Sequence, residues 1–167
     1  LESALSGLPL GGLRYFQSTG STNDEAARWV VEGCPDLSLV VADEQTTGRG
    51  RYRRTWVTPA GSALAFSLIL LPPFEYENLM LGRFTALAAV AVCEVLREEY
   101  RLNALIKWPN DVLINGRKVS GILSEMRVND DRIDFGIVGI GINVNNAVGS
   151  FPSEISATAT SIFIETG

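Results

Sequence analysis

The sequence predicts an α+β fold in which helices flank a central mixed, mostly antiparallel sheet. Three observations support this prediction. A capping motif opens an early helix, a long helical pattern covers residues 78–100, and the strand-like runs after it include the hairpin signal Asn115-Gly116. The regular alternation of strands and helices that would indicate a parallel sheet is missing from the sequence.

The N-terminal half begins with a helix and continues with a strand. Thr22 and Glu25 have the spacing of a capping box, so we expect Thr22 to cap a helix that ends near Gly33. Residues 37–42 form a β-rich run and are predicted as a strand. Residues 43–62 are polar and lack periodicity, and a stretch of this length inside a compact domain is usually functional.

The C-terminal half is predicted as a buried strand, a long helix and a series of hairpin-linked strands. The helix at 78–100 has Leu87 and Val95 among its periodic apolar positions. The tail from residue 152 is weakly patterned. Strands are predicted at 63–71, 105–108, 112–114, 118–126 and 132–144, with breaks at Pro72-Pro73, Pro109, Asn115-Gly116 and 129–131.

Composition restricts the kind of protein and the chemistry. The 167 residues are 46% hydrophobic and 20% charged, which is typical of one soluble globular domain. The net charge of −5 argues against nucleic-acid binding, and the absence of histidine excludes His-dependent triads and His-ligated zinc. Cys34 and Cys93 are predicted to be small buried thiols, not a disulfide. Apolar runs are shorter than the ~20 residues of a membrane span, so a cytoplasmic protein is expected.

A basic loop at residues 48–54 is the first candidate for chemistry. Four of the 14 basic residues, Arg49, Arg51, Arg53 and Arg54, lie within six positions. Arginine matches phosphate or carboxylate bidentately, and Gly48 and Gly50 in the same loop permit close backbone approach to an anion. The alternative is a solvated basic loop. The spacing of a Walker A motif is not present.

Two further clusters follow predicted strand ends. Lys107, Asn110 and Asp111 gather around a proline turn, and Asp111 is a candidate contact for nucleotide-bound Mg²⁺. The alternative is an Asn-Asp turn without ligand. Lys118 begins a strand after the hairpin turn, where a rigidly held lysine can bridge a carboxylate and a phosphate. The alternative is an ordinary surface lysine.

Other candidates are glycines, one aromatic residue and one group of polar side chains. Gly139 and Gly141 alternate along a strand, which suggests that a flat group lies against it or that strands pack closely. Asn143 follows them as a candidate nucleotide contact. Trp56 is either a stacking platform or a core residue. Residues 21–23 either cap a helix or line a pocket.

The order of these motifs resembles the biotin–protein ligase family. The resemblance covers about residues 20–145, nearly all of the patterned chain. The motifs are GSTN at 20–23, EQ and GRGR within 44–51, Trp56, KWPND at 107–111, RK followed by GIL within 117–123, and GIG followed by Asn within 139–143.

The resemblance implies a fold, a reaction and partners. The fold is related to lipoate ligases and to class II aminoacyl-tRNA synthetases. The reaction uses biotin, ATP and Mg²⁺ to form biotinyl-5′-AMP, and then transfers biotin to a lysine of the biotin carboxyl carrier domain of acetyl-CoA carboxylase. Residues 1–167 are expected to form one catalytic domain, without an N-terminal winged helix or a small C-terminal β-barrel domain. A homodimer is compatible with the sequence.

The resemblance also implies residue roles. Lys118, Arg51 and Asp111 are expected to be catalytic, and Asp111 is also the candidate metal-side carboxylate. The expected biotin-binding residues are Ser21, Thr22, Asn23, Gln45, Arg49, Gly50, Arg51 and Lys118. The expected adenylate- and ATP-binding residues are Arg49, Arg51, Trp56, Lys107, Asn110, Lys118 and Asn143.

One departure and two alternatives accompany the resemblance. Arg53 stands where the family usually has glycine. A lipoate or octanoyl ligase or transferase on the same fold is the nearest alternative, and a non-catalytic biotin-binding module is the second. Gln45 with the GRGR loop favours biotin, because a ureido ring needs paired donors and acceptors that a dithiolane ring does not.

Overall fold

The computed structural model describes residues 1–71, 80–129 and 132–167. Its helices and strands are α1 Glu2–Leu5, β1 Gly12–Thr19, α2 Thr22–Val31, β2 Ser38–Gln45, β3 Ala63–Leu70, α3 Met80–Glu98, β4 Ala104–Lys107, β5 Asp111–Ile114, β6 Arg117–Asn129, β7 Arg132–Asn143 and α4 Ile162–Thr166. One turn of 3-10 helix lies at Arg51–Arg53. Pro72-Pro73, the first two residues of the predicted helix at 78–100, and Asp130-Asp131 of the predicted turn lie outside the described residues.

The described strands form one seven-stranded sheet in the order β1-β2-β3-β7-β6-β5-β4. Among them β1 and β2 pair in parallel, and the other neighbours pair antiparallel. The predicted α+β fold with a mixed, mostly antiparallel sheet is confirmed. β7 is hydrogen-bonded to β3 on one edge and to β6 on the other, so its side chains face only the two faces of the sheet.

The two long helices cover opposite faces of the sheet. Phe135 and Ile137 of β7 pack in a buried cluster with Ala26 of α2, whereas Val138 packs in a second cluster with Leu96 of α3. Because successive side chains of a strand point to opposite faces, α2 and α3 lie on opposite sides. The face that carries Ile137 continues past the N-terminus of α2 into the region of the candidate site.

α3 confirms the predicted long helix, but part of the predicted apolar face is wrong. Ala89, Cys93 and Leu96 are buried, and the helix contacts β4, β5, β6 and β7. Leu87 and Val95, which the spacing predicts to be buried, are 66% and 53% exposed. Apolar residues occur on more than one side of this helix, so spacing alone does not select the side that packs.

The hairpin between β5 and β6 is confirmed, with φ of +50° at Asn115 and +78° at Gly116. Cys34 and Cys93 are free and buried, and burial raises the pKa of both thiols, so the prediction of unpaired buried thiols is also confirmed. α1, β1 and α4 were not predicted. None of the helices in the described residues combines the length and the hydropathy that a membrane span requires.

Gly116 and Gly82 should respond oppositely to the same substitution. Gly116 has a left-handed φ, so Gly116→Ala should lower the free energy of unfolding by about 1 kcal/mol. Gly82 lies in α3 with no described atom within 4 Å of an added Cβ, so Gly82→Ala should raise it by up to ~1 kcal/mol. Urea unfolding followed by circular dichroism measures both changes, and shifts of equal sign would contradict this explanation.

Candidate functional site

A pocket of about 470 Å³ opens on the Ile137 face of the sheet, beside the N-terminus of α2. β6 and β7, the basic loop and residues 151–159 contribute to its walls. The structure brings all the predicted site residues together here, while their individual roles stay predictions. These lining residues are Ser21, Thr22, Asn23, Gln45, Arg49, Gly50, Arg51, Trp56, Lys107, Asn110, Asp111, Lys118 and Asn143.

The floor of the pocket is strand backbone, because glycines occupy positions that face it. Gly139 and Gly141 of β7 are joined by Gly121 of β6, which pairs with Gly141 across the ladder. The ring of Trp56 lies against Gly141, where an added Cβ would come within 2.4 Å of it. At Gly141 the flat group that the alternating glycines predict is the indole of Trp56, whereas Gly139 meets the amide of Asn23.

The N-terminus of α2 is capped by a residue that is distant in the sequence. Gln45 Oε1, at the end of β2, accepts hydrogen bonds from the backbone N–H of Thr22 at 2.8 Å and from Thr22 Oγ1 at 3.1 Å. Ser21 is the N-cap residue, and its hydroxyl makes no capping bond. The predicted capping box is wrong, because the carboxylate of Glu25 accepts from Thr19 Oγ1 at 2.6 Å instead.

Asn23 and Arg49 both contact one carboxylate oxygen of Glu125, and the sequence analysis did not predict this contact. Asn23 Nδ2 donates to Glu125 Oε2 at 2.6 Å, and Arg49 Nη2 lies 3.0 Å from the same oxygen. Arg49 also pairs with Asp24 at 2.7 Å. The side chain of Arg49 is 44% exposed, so these ion pairs add little stability, but they hold the guanidinium at the edge of the pocket.

The basic loop folds as a tight backbone hairpin. Trp56 donates its backbone N–H to the carbonyl of Gly48 at 2.8 Å, and Gly50 donates to Arg54 at 2.7 Å. A Cβ at residue 48 would lie 2.4 Å from the carbonyl oxygen of Trp56, so only glycine lets the two sides approach. The arginines of the loop are therefore presented by backbone with a defined conformation.

Arg51 is held from two sides. Its guanidinium donates to Asn110 Oδ1 at 3.1 Å and to the Tyr52 hydroxyl at 3.1 Å, and it stacks 5.0 Å from the centroid of the Tyr52 ring. Asn110 Nδ2 donates in turn to the carbonyl of Ile122 at 3.0 Å. Asn110 thus connects the basic loop to β6, and Tyr52 is a lining residue that the sequence analysis missed.

Lys118 and Asp111 form an ion pair inside the pocket. Lys118 Nζ lies 2.6 Å from Asp111 Oδ1 and 5.4 Å from the centroid of the Trp56 ring. The two side chains are 33% and 24% exposed, so solvent ions screen this pair less than a surface pair. The strand end and the hairpin that were predicted to hold these residues bring their charges into contact.

The pocket is basic although the chain carries a net charge of −5. Among the described residues that line it, Asp111 is the one carboxylate. The described part of the chain also contains no group of three or more histidine, cysteine, aspartate or glutamate side chains placed to hold a metal. The site therefore suits an anionic ligand. The cationic lining residues are Arg49, Arg51, Arg54, Lys107 and Lys118.

The segment at 151–159 lines one side of the pocket and was missed by the sequence analysis. It is tied to β6 through backbone bonds, since Lys118 donates its N–H to the carbonyl of Thr158 at 2.7 Å. Its weak sequence pattern gave no signal that a wall of the pocket lies there. Its lining residues are Phe151, Ile155, Thr158 and Ala159.

Asn143 and Glu165 anchor the C-terminal residues to the sheet. Asn143 is 4% exposed, and its Nδ2 donates to the carbonyl of Thr160 at 2.9 Å. The carboxylate of Glu165 accepts from Thr160 at 2.5 Å, Asn115 at 2.8 Å and Arg117 at 2.7 Å. Burial alone would raise the pKa of Glu165, but these donors and the charge of Arg117 outweigh burial and lower the pKa.

Sequence comparison identifies the family. The model of the biotin/lipoate A/B protein ligase family matches residues 15–143. The chain belongs to this family. It is 43% identical over 150 residues to the bifunctional ligase/repressor BirA of Bacillus subtilis, which covers 90% of this chain and 46% of that protein. It is 40% identical over 152 residues to the biotin–[acetyl-CoA-carboxylase] ligase of Paracoccus denitrificans, covering 89% of this chain and 62% of that protein.

Structure comparison agrees with the family assignment. The biotin protein ligase from Aquifex aeolicus in complex with biotin and ATP matches with a TM-score of 0.75 and 36% identity, over 93% of this chain and 61% of that chain. The resemblance to biotin–protein ligases that the motif order indicated is confirmed, and the α+β fold with a mixed sheet matches that of a biotin protein ligase structure. The chain spans about half the length of the curated relatives that it matches.

Arg53 has a left-handed backbone with φ of +60°, at the position where the family resemblance implies glycine. This conformation costs roughly 1–2 kcal/mol for a residue with a Cβ, so Arg53→Gly should leave the free energy of unfolding unchanged or raise it by about 1 kcal/mol. Arg54→Gly, where φ is −73°, should lower it by roughly 0.5–1 kcal/mol. Chemical denaturation compares the two variants, and a larger loss for Arg53→Gly would overturn the prediction.

Glu165 should make stability depend on pH. Its lowered pKa means that the ionised carboxylate stabilises the fold above the ordinary value of 4.5, and that this contribution is lost as the pH falls through the folded-state pKa. Glu165→Gln should therefore be about 1–3 kcal/mol less stable at pH 7, and the deficit should shrink below pH 4.5. Urea titrations between pH 7 and 3 measure this, with Glu154→Gln in the same tail as an exposed control. A deficit that is constant with pH would contradict it.

Proposed function

We propose that this chain forms biotinyl-5′-AMP from biotin and ATP, and that it transfers biotin to a lysine of a carrier protein. The observation that carries the proposal is the convergence of Arg49, Arg51 and Lys118 on one pocket beside the N-terminus of α2. A pocket of this charge and size suits a small ligand with a carboxylate or phosphate group. The names of the relatives and the biotin and ATP bound by the Aquifex aeolicus protein support the proposal.

The biotin end of the pocket is proposed to lie at the N-terminus of α2. A ureido ring has two N–H donors and one carbonyl acceptor, and Ser21, Asn23 and the Thr22–Gln45 pair offer hydroxyls and amides to match them. The N-terminus of a helix also favours a carbonyl oxygen. Lipoate and octanoate lack these donors and acceptors, so this polar end favours biotin over the alternative substrates.

The first reaction joins two anions. The biotin carboxylate attacks the α-phosphorus of ATP, a new P–O bond forms, and pyrophosphate leaves with the electrons of the bond that breaks. Arg49, Arg51 and Lys118 offset the repulsion between the reactants and stabilise the charge on the five-coordinate phosphorus. No histidine is needed as a base, because the carboxylate is already ionised at neutral pH.

Lys118 is proposed to be the residue that bridges the carboxylate and the phosphate. Its ammonium group has three donors, so it can keep Asp111 as one partner and donate to two ligand oxygens. The ion pair with Asp111 directs Nζ into the pocket and limits the rotamers of the lysine. Trp56 is proposed to lie on the adenylate side, where its ring offers a stacking face.

Mg²⁺ is proposed to bind together with ATP. The described residues fit it only in part, since Asp111 is the one lining carboxylate and its Oδ1 already contacts Lys118. Magnesium usually takes one or two protein carboxylates together with substrate phosphates. We therefore assign Asp111 at most one contact, and Mg²⁺ would neutralise charge on the pyrophosphate.

The second reaction transfers biotin to the acceptor lysine. The neutral amine attacks the acyl carbon and AMP leaves. Asp111 is proposed to assist the loss of the proton from this amine. The proposed acceptor is the biotin carboxyl carrier domain of acetyl-CoA carboxylase, because the Paracoccus denitrificans relative is named for that substrate.

Biotin-dependent exchange of pyrophosphate into ATP tests the first reaction. The full chain should catalyse exchange with biotin and not with lipoate. Lys118→Ala should lower the exchange rate by roughly 10²–10³-fold, because it removes a donor to the transition state, and Arg51→Ala should weaken retention of the adenylate. Arg127→Ala, at an exposed position outside the pocket, serves as the matched control with the parent rate.

Two outcomes would replace this proposal. Exchange driven by lipoate and not by biotin would assign the pocket to the lipoate branch of the family. Binding of biotin without any adenylate, in a sample with native circular dichroism, would make the chain a binding module. If Lys118→Ala keeps the parent exchange rate, Lys118 does not take part in the reaction.

A further inference from the structure

Two glycines of β7 lie against two different side chains of the pocket. A Cβ built at residue 139 would come within 2.2 Å of Asn23 Oδ1, and a Cβ at residue 141 would come within 2.4 Å of the Trp56 ring. Real Cβ atoms essentially never approach closer than 3.0 Å. Each glycine therefore leaves a space that one pocket side chain fills, and this space is called the seat of that side chain.

Asn23 has little freedom to move away from Gly139. Its Oδ1 accepts from Ser67 Oγ at 2.6 Å, and its Nδ2 donates to the carbonyl of Leu123 at 3.2 Å and to Glu125 at 2.6 Å. The residue is 4% exposed. A methyl group at residue 139 would displace an amide that is bonded at both ends, not a freely rotating side chain.

Trp56 is restricted by its backbone and by neighbouring groups, not by its indole Nε1, which has no hydrogen-bond partner among the described residues. Its backbone N–H is bonded to Gly48, so the ring can leave Gly141 only by rotation of the side chain. A Cβ at Gly121, on the neighbouring strand, would lie 3.3 Å from the ring, which is a tight contact. The ammonium of Lys118 lies 5.4 Å from the ring centroid.

We propose that Gly139 and Gly141 are positioning residues that set where the two ends of the ligand lie. Gly139 seats Asn23 at the biotin end and Gly141 seats Trp56 at the adenylate end, an assignment of ends that rests on the proposed function. Residues two apart on a strand share a face and are separated by about 7 Å. One rigid strand thus sets the distance between a polar contact and a stacking face.

Double variants of the full chain that combine each glycine substitution with each side-chain substitution test the two seats. This test does not depend on enzyme activity. Gly141→Ala should lower Tm by roughly 3–10 °C through overpacking. In a Trp56→Ala background the same change should lower Tm by less than about half as much, because the ring that the methyl group meets is gone. In an Asn23→Ala background, Gly141→Ala should keep its full effect. The effect of Gly139→Ala on Tm should shrink in the Asn23→Ala background and stay unchanged in the Trp56→Ala background.

Additive Tm shifts for Gly141→Ala with Trp56→Ala would overturn the seat at residue 141, and additive shifts for Gly139→Ala with Asn23→Ala would overturn the seat at 139. If Gly141→Ala alone does not fold, the proposal requires the double variant with Trp56→Ala to fold. Failure of both to fold would also overturn it.

The Michaelis constants for biotin and for ATP, measured separately, test whether each glycine positions one end of the ligand. In biotin-dependent exchange, Gly139→Ala should raise KM for biotin about tenfold or more with little change for ATP, and Gly141→Ala should do the reverse, because each misplaces one contact group. Equal loss of kcat with both KM values unchanged would overturn the positioning roles. Absence of exchange in the parent chain would contradict the proposed function. The Tm values of the double variants would still test whether Gly139 and Gly141 provide the two seats.

Discussion

The pocket depends on a central strand, β7, whose backbone faces it at Gly139 and Gly141 without a side chain. β7 is hydrogen-bonded on both edges, so its peptide surface can line a cavity without unpaired N–H and C=O groups. α2 covers the part of this face that holds Ile137, and its N-terminus reaches Gly139. Glycine inside a strand costs about 0.5–1 kcal/mol relative to alanine, and the long ladders with β3 and β6 offset that cost. The result is a flat and rigid floor on which Asn23 and Trp56 rest.

Two cations of the pocket are paired with carboxylates and also available to a ligand. Lys118 contacts Asp111, and Arg49 contacts Glu125. A half-buried charge without a partner is costly, so these pairs hold the cations at the pocket at low cost. A ligand oxygen must compete with them, and a typical intramolecular hydrogen bond contributes only about 0.5–1.5 kcal/mol net. Because the side chains are already ordered, binding loses less rotamer entropy than with mobile side chains.

The motifs predicted which residues meet in the pocket, but not what each one touches there. The motifs at 20–23, 107–111 and 117–118 lie at the ends of strands or helices, and these ends converge at one region of the sheet. The spacing of Thr22 and Glu25 predicted a capping box, yet the acceptor comes from Gln45, whose position only the pairing of β2 with its neighbours determines. β1 was missed because apolar and polar residues do not alternate along it: Tyr15 and Phe16 are adjacent, and three polar residues follow them. Residues 151–159 were missed because backbone bonds to Lys118 hold them, and backbone bonds leave no pattern in the side chains.

The distribution of charge explains how an acidic chain can favour small anions. At physiological ionic strength the repulsion from distant carboxylates is screened over about 8 Å, so the net charge acts weakly on a ligand inside the pocket. The arginines and Lys118 act at contact distance, where the Coulomb energy is larger and the effective dielectric is lower. Arginine keeps its charge in any environment, so partial burial does not remove the attraction. A short anion that fits inside the pocket therefore meets mainly cations.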